Sequence, residues 1–233
     1  MTPNPYVTLH SGVTRNNWAA RKLAWLAPLL LLPIPATADD VAAELVAAAI
    51  DRTHQEVVYD GAYRSMPYPG GDVPANIGVC TDVVIRAYRT LGVDLQQLVH
   101  EDMRQAFDDY PSKRIWGLTR PDSNIDHRRV PNLQAFFTRH GQSLTPGDNA
   151  AKYQPGDLVT WMLPGNLPHI GIVTDTTADD GETPLIVHNI GRGPKLENIL
   201  FRYPITGHYR YAPRHGVSTS NTTRDPVLPS DEY

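Results

Sequence analysis

The chemistry open to this chain converges on one sulfur, because Cys80 is the only cysteine among 233 residues. It stands in Gly78-Val79-Cys80-Thr81-Asp82, just ahead of Val83, Val84, Ala87, Tyr88 and Leu91, which recur at the spacing of one buried helix face. Gly92 supplies the stop. The thiol is therefore expected in the first turn of a helix, where unpaired backbone N–H groups and the positive end of the dipole favour a thiolate. A cysteine nucleophile also needs a base for its proton and a polar group to orient that base. His169 opens the apolar run Ile170-Gly171-Ile172-Val173, and His188 closes Leu185-Ile186-Val187. Neighbouring strands that bring those two ends together would make His169 the base and His188 its orienter. The same residues have plain structural readings: a small buried apolar cysteine, and histidines satisfied within a sheet. Zinc held by His127, His169 and His188 is the remaining alternative, but no short His-x-x-His or Cys-x-x-Cys spacing supports it. Neither a metal nor a cofactor is expected.

Those side chains need a scaffold. Asp40 is the expected cap of a helix over 41–50. Residues 56–78 lose helical period and fill with Tyr, Pro and Gly, a loop that enters directly on Cys80 and is a candidate cleft wall. Asp94 is expected to cap a helix from Leu95 to about Tyr110, with Leu98, Met103 and Phe107 inward and Pro111 at its end. Residues 112–130 are polar and irregular, and a short helix follows from Asn132 to His140. Pro155-Gly156-Asp157 then turns into a strand over 158–163, Pro164-Gly165-Asn166 reverses the chain, and residues 169–174 return as a hairpin partner. Residues 184–189 and 208–211 supply a third and a fourth strand. Helices first and a strand meander second is an α+β layout.

The first forty residues have a different character. Arg15, Arg21 and Lys22 precede an apolar run from Leu23 to Ile34 and then Ala36-Thr37-Ala38. A basic region, a short apolar core and a small-x-small site form the pattern of a secretory signal, here residues 1–38 with cleavage after Ala38. The run is about twelve residues where a membrane span needs about twenty, so no stable membrane insertion is expected after cleavage. Removing the leader takes away three basic and no acidic residues, leaving 18 basic against 25 acidic. That mild acidity, without a basic or aromatic stripe, argues against nucleic acid as a partner. The destination is periplasmic or extracellular, where disulfides are common, yet a single cysteine cannot pair within its own chain; reactivity explains its presence better than packing. The domain is expected over 39–212, with a polar, disordered tail over 213–233.

Five further residues are candidates for substrate contact: Tyr68 and Asp72 in the Tyr/Pro/Gly loop, Asp82 beside the thiol, and Asp126 and His127 in the irregular segment. Asp82 has a competing local role, complementing the helix dipole and pairing with Arg86 at i+4.

A cysteine at a helix start, then Pro-Gly-Asp-Leu-Val, then His-Ile-Gly-Ile-Val, then a strand ending in histidine 19 positions after the first, is similar to the NlpC/p60 branch of papain-like cysteine peptidases. The nucleophile context here is Val79-Cys80-Thr81-Asp82 rather than the Asp-Cys-Ser-Gly common in that branch. Within it, Met66-Pro67-Tyr68-Pro69-Gly70-Gly71-Asp72, Gly78-Val79-Cys80-Thr81-Asp82, Asn124-Ile125-Asp126-His127-Arg128 and Val187-His188-Asn189-Ile190-Gly191 resemble the exported family known as domain of unknown function 1287, from roughly residue 45 to 212. The resemblance implies a papain-like fold, with the nucleophile at the N-terminus of a central helix packed on an antiparallel sheet, and a Cys80–His169–His188 triad. By analogy with relatives it implies cleavage of amide bonds in peptidoglycan stem peptides through an acyl-enzyme. An acyl- or peptidyl-transferase using the same triad, and a wall-binding module without catalysis, are the alternatives. A protein regulator would be a natural partner for a wall hydrolase.

Overall fold

The computed structural model describes residues 37–213, so the leader up to residue 36 and the tail from residue 214 lie outside the described residues. The first helix, α1 (Ala38–Arg52), is capped by Thr37 rather than by Asp40. The Asp40 N–H donates to Thr37 Oγ1, and Asp40 Oδ2 accepts from the Thr37 N–H, a capping box that spans the expected cleavage point at Ala38. A two-stranded parallel pair, β1 (Val58–Tyr59) and β2 (Ile77–Gly78), then brackets the Tyr/Pro/Gly loop.

The helix that carries the thiol, α2 (Cys80–Thr90), begins at Cys80, and its residues from Cys80 to Tyr88 are all buried, because it lies between α1 and the sheet. Gly92, at φ +76°, lets the chain turn away in a conformation that suits glycine. Asp94 caps α3 (Leu95–Gln105) by accepting from the Gln96 N–H. This helix ends five residues before the expected Tyr110: the chain leaves helical geometry at Ala106, makes one 3-10 turn over Phe107–Asp109, and folds back so that the Tyr110 hydroxyl donates to Asp102 at 2.6 Å. The segment expected to be irregular holds a five-residue helix, α4 (Ser112–Trp116), and a 3-10 turn over Asp126–Arg128. The next helix, α5 (Val130–His140), starts with Pro131 in its first turn, where the missing N–H costs nothing.

Six strands form one sheet in the order β3-β8-β4-β5-β6-β7, every neighbouring pair antiparallel: β3 (Gln142–Leu144), β4 (Leu158–Leu163), β5 (Leu167–Thr177), β6 (Pro184–His188), β7 (Lys195–Glu197) and β8 (Ile205–Arg210). The α+β layout stands, with the expected hairpin as β4 and β5. Leu158, Ile170, Ile172, Val187 and Tyr209 pack with the helices. Alternation turns Val159, Trp161, Val173 and Ile186 to the other face, where Tyr153, Ile199 and Leu200 cover them. Gly171 is required where β5 meets β6: a Cβ there would lie 2.6 Å from Ile186 Cγ2 and 2.9 Å from the Val187 oxygen. Asp157, at the end of the Pro-Gly-Asp turn, is buried and joins β4 to β8 by accepting from His208 Nε2, Arg210 Nε and Arg210 Nη2. No helix of the described residues is long and apolar enough to cross a membrane.

Asp82 does not pair with Arg86, as helical spacing suggested. Its carboxylate accepts from the Val79 N–H at 2.7 Å and from Arg128 Nε and Nη2, each at 2.9 Å, with both side chains buried. Arg86 turns instead to Asp72. Arg128→Ala would leave the Asp82 carboxylate buried and unpaired, and is expected to destabilise the fold by about 3–5 kcal/mol. Urea unfolding of the variant beside the parent checks this; a change under about 1 kcal/mol would show that the pair is not holding the helix start.

Candidate active site

Cys80 stands at the start of α2, where that helix packs against β5. Along β5, the Val173 N–H and C=O both bond toward the β4 side, to Asp157 and Gly156. Alternation therefore turns Ile172 and Ile170 toward β6, where Ile172 stands opposite Val187. β6 ends at His188, so Ile170 has a strand partner only on the β4 side, opposite Thr160. The Ile170, Thr81 and Cys80 N–H groups act on the Cys80 sulfur, each favouring its thiolate form. The start of α2 is docked into the parting of the two strands, and the Asn189 side-chain amide, just past β6, points to the Gly78 oxygen at 3.5 Å.

The two predicted histidines meet. His169 Nε2 lies 3.2 Å from His188 Nδ1, with the rings perpendicular, and Trp161 flanks the His169 ring at 5.9 Å between centroids. With Nε2 turned to His188, Nδ1 of His169 is the ring nitrogen left over. It is also the one nearer the main chain, next to Ile170, whose N–H acts on the Cys80 sulfur. Beyond His188 stands Glu197, whose Oε2 is 3.0 Å from His188 Nε2 but off the line of a straight hydrogen bond. Cys80, His169 and His188 are 4%, 2% and 1% exposed. Among the described residues, no group of three or more His, Cys, Asp or Glu side chains is arranged to hold a metal ion.

Burial decides the electrostatics. It pushes the Cys80 thiol up to about 11, against the hydrogen bond from the Ile170 N–H, and the nearby Asp82 charge pushes the same way. Burial likewise takes His169 down to about 3, with His188 adding to the effect. His188 is lowered by burial and partly restored by Glu197. The resting row is thus a neutral thiol beside neutral imidazoles, not the thiolate expected from the helix dipole. Desolvation of the whole helix start outweighs the dipole's contribution of about 0.3–1 kcal/mol. A neutral His169 still holds the lone pair a general base needs.

The candidate contact residues are mostly occupied elsewhere. Asp72 is shared by Arg86 and Arg89, each at 2.9 Å, and Asp82 by Arg128. Asp126 is buried and accepts from the Asp122 N–H; burial raises its carboxyl to about 6. His127 is buried with no partner for Nδ1, and burial lowers it to about 4. Tyr68 is half-exposed, edge-on to His100, in a loop whose Gly70 and Gly71 N–H groups are held by Asp94 and Gln96. Two residues that sequence reasoning passed over lie closer to the chemistry. Tyr59 stands on β1 opposite Gly78; burial, with the fields of Cys80 and Asp82, pushes its phenol up to about 12. Glu197 belongs to a strand of three residues, too short to show alternation.

The family described as Domain of unknown function (DUF1287) matches residues 46–211. Among curated proteins, the chain is 51% identical over 182 residues to one from Escherichia coli (strain K12) named "Uncharacterized protein YijF", covering 76% of this chain and 87% of that protein.

Two measurements test the site's electrostatics. With a thiol raised to about 11, Cys80 in the folded protein is expected to react with iodoacetamide at pH 8 at least about 10-fold more slowly than in the unfolded chain, where cysteine titrates near 8.5. An equal or faster folded rate would restore the thiolate. Stability is expected to fall as pH drops from about 6.5 toward 4, because the unfolded chain takes up protons at His127 and His169 that the folded chain refuses, an effect offset in part by Asp126, which the folded chain protonates first. His127→Phe should flatten that slope in unfolding measured across the range; an unchanged slope would remove His127 from the account.

Proposed function

This chain belongs to the DUF1287 family, and we propose that it is an exported cysteine hydrolase of papain-like, NlpC/p60 type, cleaving amide bonds in peptidoglycan stem peptides. The observation that carries the reading is a thiol at a helix start, acted on by the Ile170 N–H, and, in the residue before Ile170, a histidine whose Nε2 meets a second histidine at 3.2 Å. A buried helix that starts at the cysteine and packs on an antiparallel sheet supports the papain-like comparison. The leader pattern supports export, and with it a wall substrate.

In this reading Cys80 Sγ attacks the carbonyl carbon of the scissile amide while its proton passes to Nδ1 of His169. The charge on the carbonyl oxygen develops at the start of α2, where the positive end of the helix dipole favours it. His169 then gives its proton to the leaving amine. The thioester remains until water, deprotonated by the same imidazole, releases the acid and regenerates the thiol. His188 keeps the His169 ring oriented throughout. Asp82 and Arg128 hold the helix start and take no part in the bond changes. A second reading is a wall-binding module without turnover; the burial of all three row residues favours it.

Digestion of purified muropeptides or sacculi by the exported chain, beside Cys80→Ala, tests the choice by product mass. New carboxyl-terminated fragments are expected with the parent and not with the variant, and His169→Ala should lower the rate by at least about 10²-fold. Products that keep the acyl group on an added amine would indicate transfer. Co-sedimentation of Cys80→Ala with sacculi, and no turnover by the parent, would establish binding alone.

A further inference from the structure

We propose that Glu197 is a positioning residue that sets the tautomer of the histidine row, an inference that rests on the hydrolase reading of that row. In the register of β6 and β7, Ile186 stands opposite Glu197 and His188 opposite Lys195. Glu197 is therefore the diagonal neighbour of His188 on the same face, within reach of a long side chain. Its carboxylate comes to 3.0 Å from His188 Nε2, while His188 Nδ1 faces His169.

A neutral imidazole carries one N–H, so the two contacts of His188 are coupled. A carboxylate only accepts, so it favours the proton of His188 on Nε2. His188 Nδ1 is then an acceptor and must receive the Nε2–H of His169. That leaves the lone pair of His169 on Nδ1, the nitrogen that receives the thiol proton. The opposite arrangement disables the base: with the His188 proton on Nδ1, His169 must accept at Nε2 and carry its own proton on Nδ1, so no lone pair is left there for the thiol proton. One carboxylate at the end of the row thus decides which way every proton in it points. When the thiol proton moves to Nδ1, no proton leaves the row, and the carboxylate balances the new imidazolium charge. Glu197 is 46% exposed and imperfectly aligned, so its effect lies well below the roughly 10⁴-fold loss seen when a buried triad carboxylate is neutralised. It exceeds that of a loose surface pair, because its partner is buried.

The test uses the full chain with ¹⁵N-labelled histidine. Nitrogen shifts should show His169 and His188 both as Nε2–H tautomers, with Glu197→Ala moving a detectable share of His188 to Nδ1–H. Glu197→Gln keeps an acceptor at the same place and should preserve the parental tautomers while losing the charge. Alkylation of Cys80 at a fixed neutral pH should slow about 10-fold in Glu197→Ala and by less in Glu197→Gln. Parental tautomers and alkylation rate in Glu197→Ala, or Nδ1–H at His188 in the parent, would overturn the assignment. Absence of muropeptide turnover by the parent would count against the hydrolase reading alone, since tautomer and alkylation read the row directly. A general unfolding of Glu197→Ala is excluded by its melting temperature, and Glu197→Gln, isosteric and half in solvent, carries the rate comparison in any case.

Discussion

The carboxylate of Asp82 is the point on which the rest of the structure leans. It occupies the third position of α2, where it complements the dipole and closes the helix start by accepting the Val79 N–H. A buried carboxylate is tolerable only when its partners are nearly complete, and here Arg128 supplies two donors from a turn 46 positions away. Arg128 spends further N–H groups on the Asp60 and Ala62 oxygens, and its own carbonyl receives the Thr81 hydroxyl. The α2 start, the segment after β1 and the 3-10 turn over 126–128 are thereby one rigid piece. Cys80 lies inside it, so its sulfur has little freedom to move.

The sheet supplies the complementary constraint. β6 stops at His188 while β5 runs on toward His169, which strands the Ile170 N–H at the parting of the strands. There the Ile170 N–H acts on the sulfur that α2 delivers, favouring its thiolate form. The close approach of β5 and β6, which only a glycine at 171 permits, is also what brings the two histidines within 3.2 Å. One local feature, the early end of a strand, thus seats the thiol and aligns the imidazoles.

Much of this was legible in the sequence because it is local. The 3.6-residue period after Cys80, the Asp94 cap, the Pro-Gly-Asp turn and the β4–β5 hairpin depend on neighbours a few residues apart, and each appears where the pattern put it. The histidine pair was legible from two neighbouring strands, although His169 lies two residues inside β5 rather than at its start, because the hairpin pairs Leu167 and Pro168 with Leu163 and Met162. What stayed hidden is non-local or short. The partner of Asp82 is Arg128 rather than the nearby Arg86 because a tertiary contact outcompetes helical spacing. Strands of two or three residues, β1, β2, β3 and β7, have no period to read. Helix α3 ends early because the Tyr110 hydroxyl is drawn back to Asp102, and the first cap is Thr37 because Asp40 serves better as its reciprocal partner. The charge state of Cys80 was misread for the same reason: the dipole is a property of the helix, but desolvation is a property of everything packed around it.

That burial bears on how such a row would work. In water, a thiol and an imidazole exchange a proton readily, and solvent screens the charges that result. In the closed site the same exchange creates two charges where solvation is poor, so the neutral pair is the resting state. The low dielectric that discourages separated charges also strengthens every fixed dipole and carboxylate aimed at them. Were an oxyanion and an imidazolium to develop between the start of α2 and the far carboxylate, those groups would act at short range and without solvent reorganisation. A thiol kept neutral in this way is also poorly matched to chance electrophiles and oxidants, which attack the thiolate. For a lone cysteine, burial and reactivity are therefore compatible: burial would protect the sulfur until a bound group completed the charge arrangement that reactivity requires.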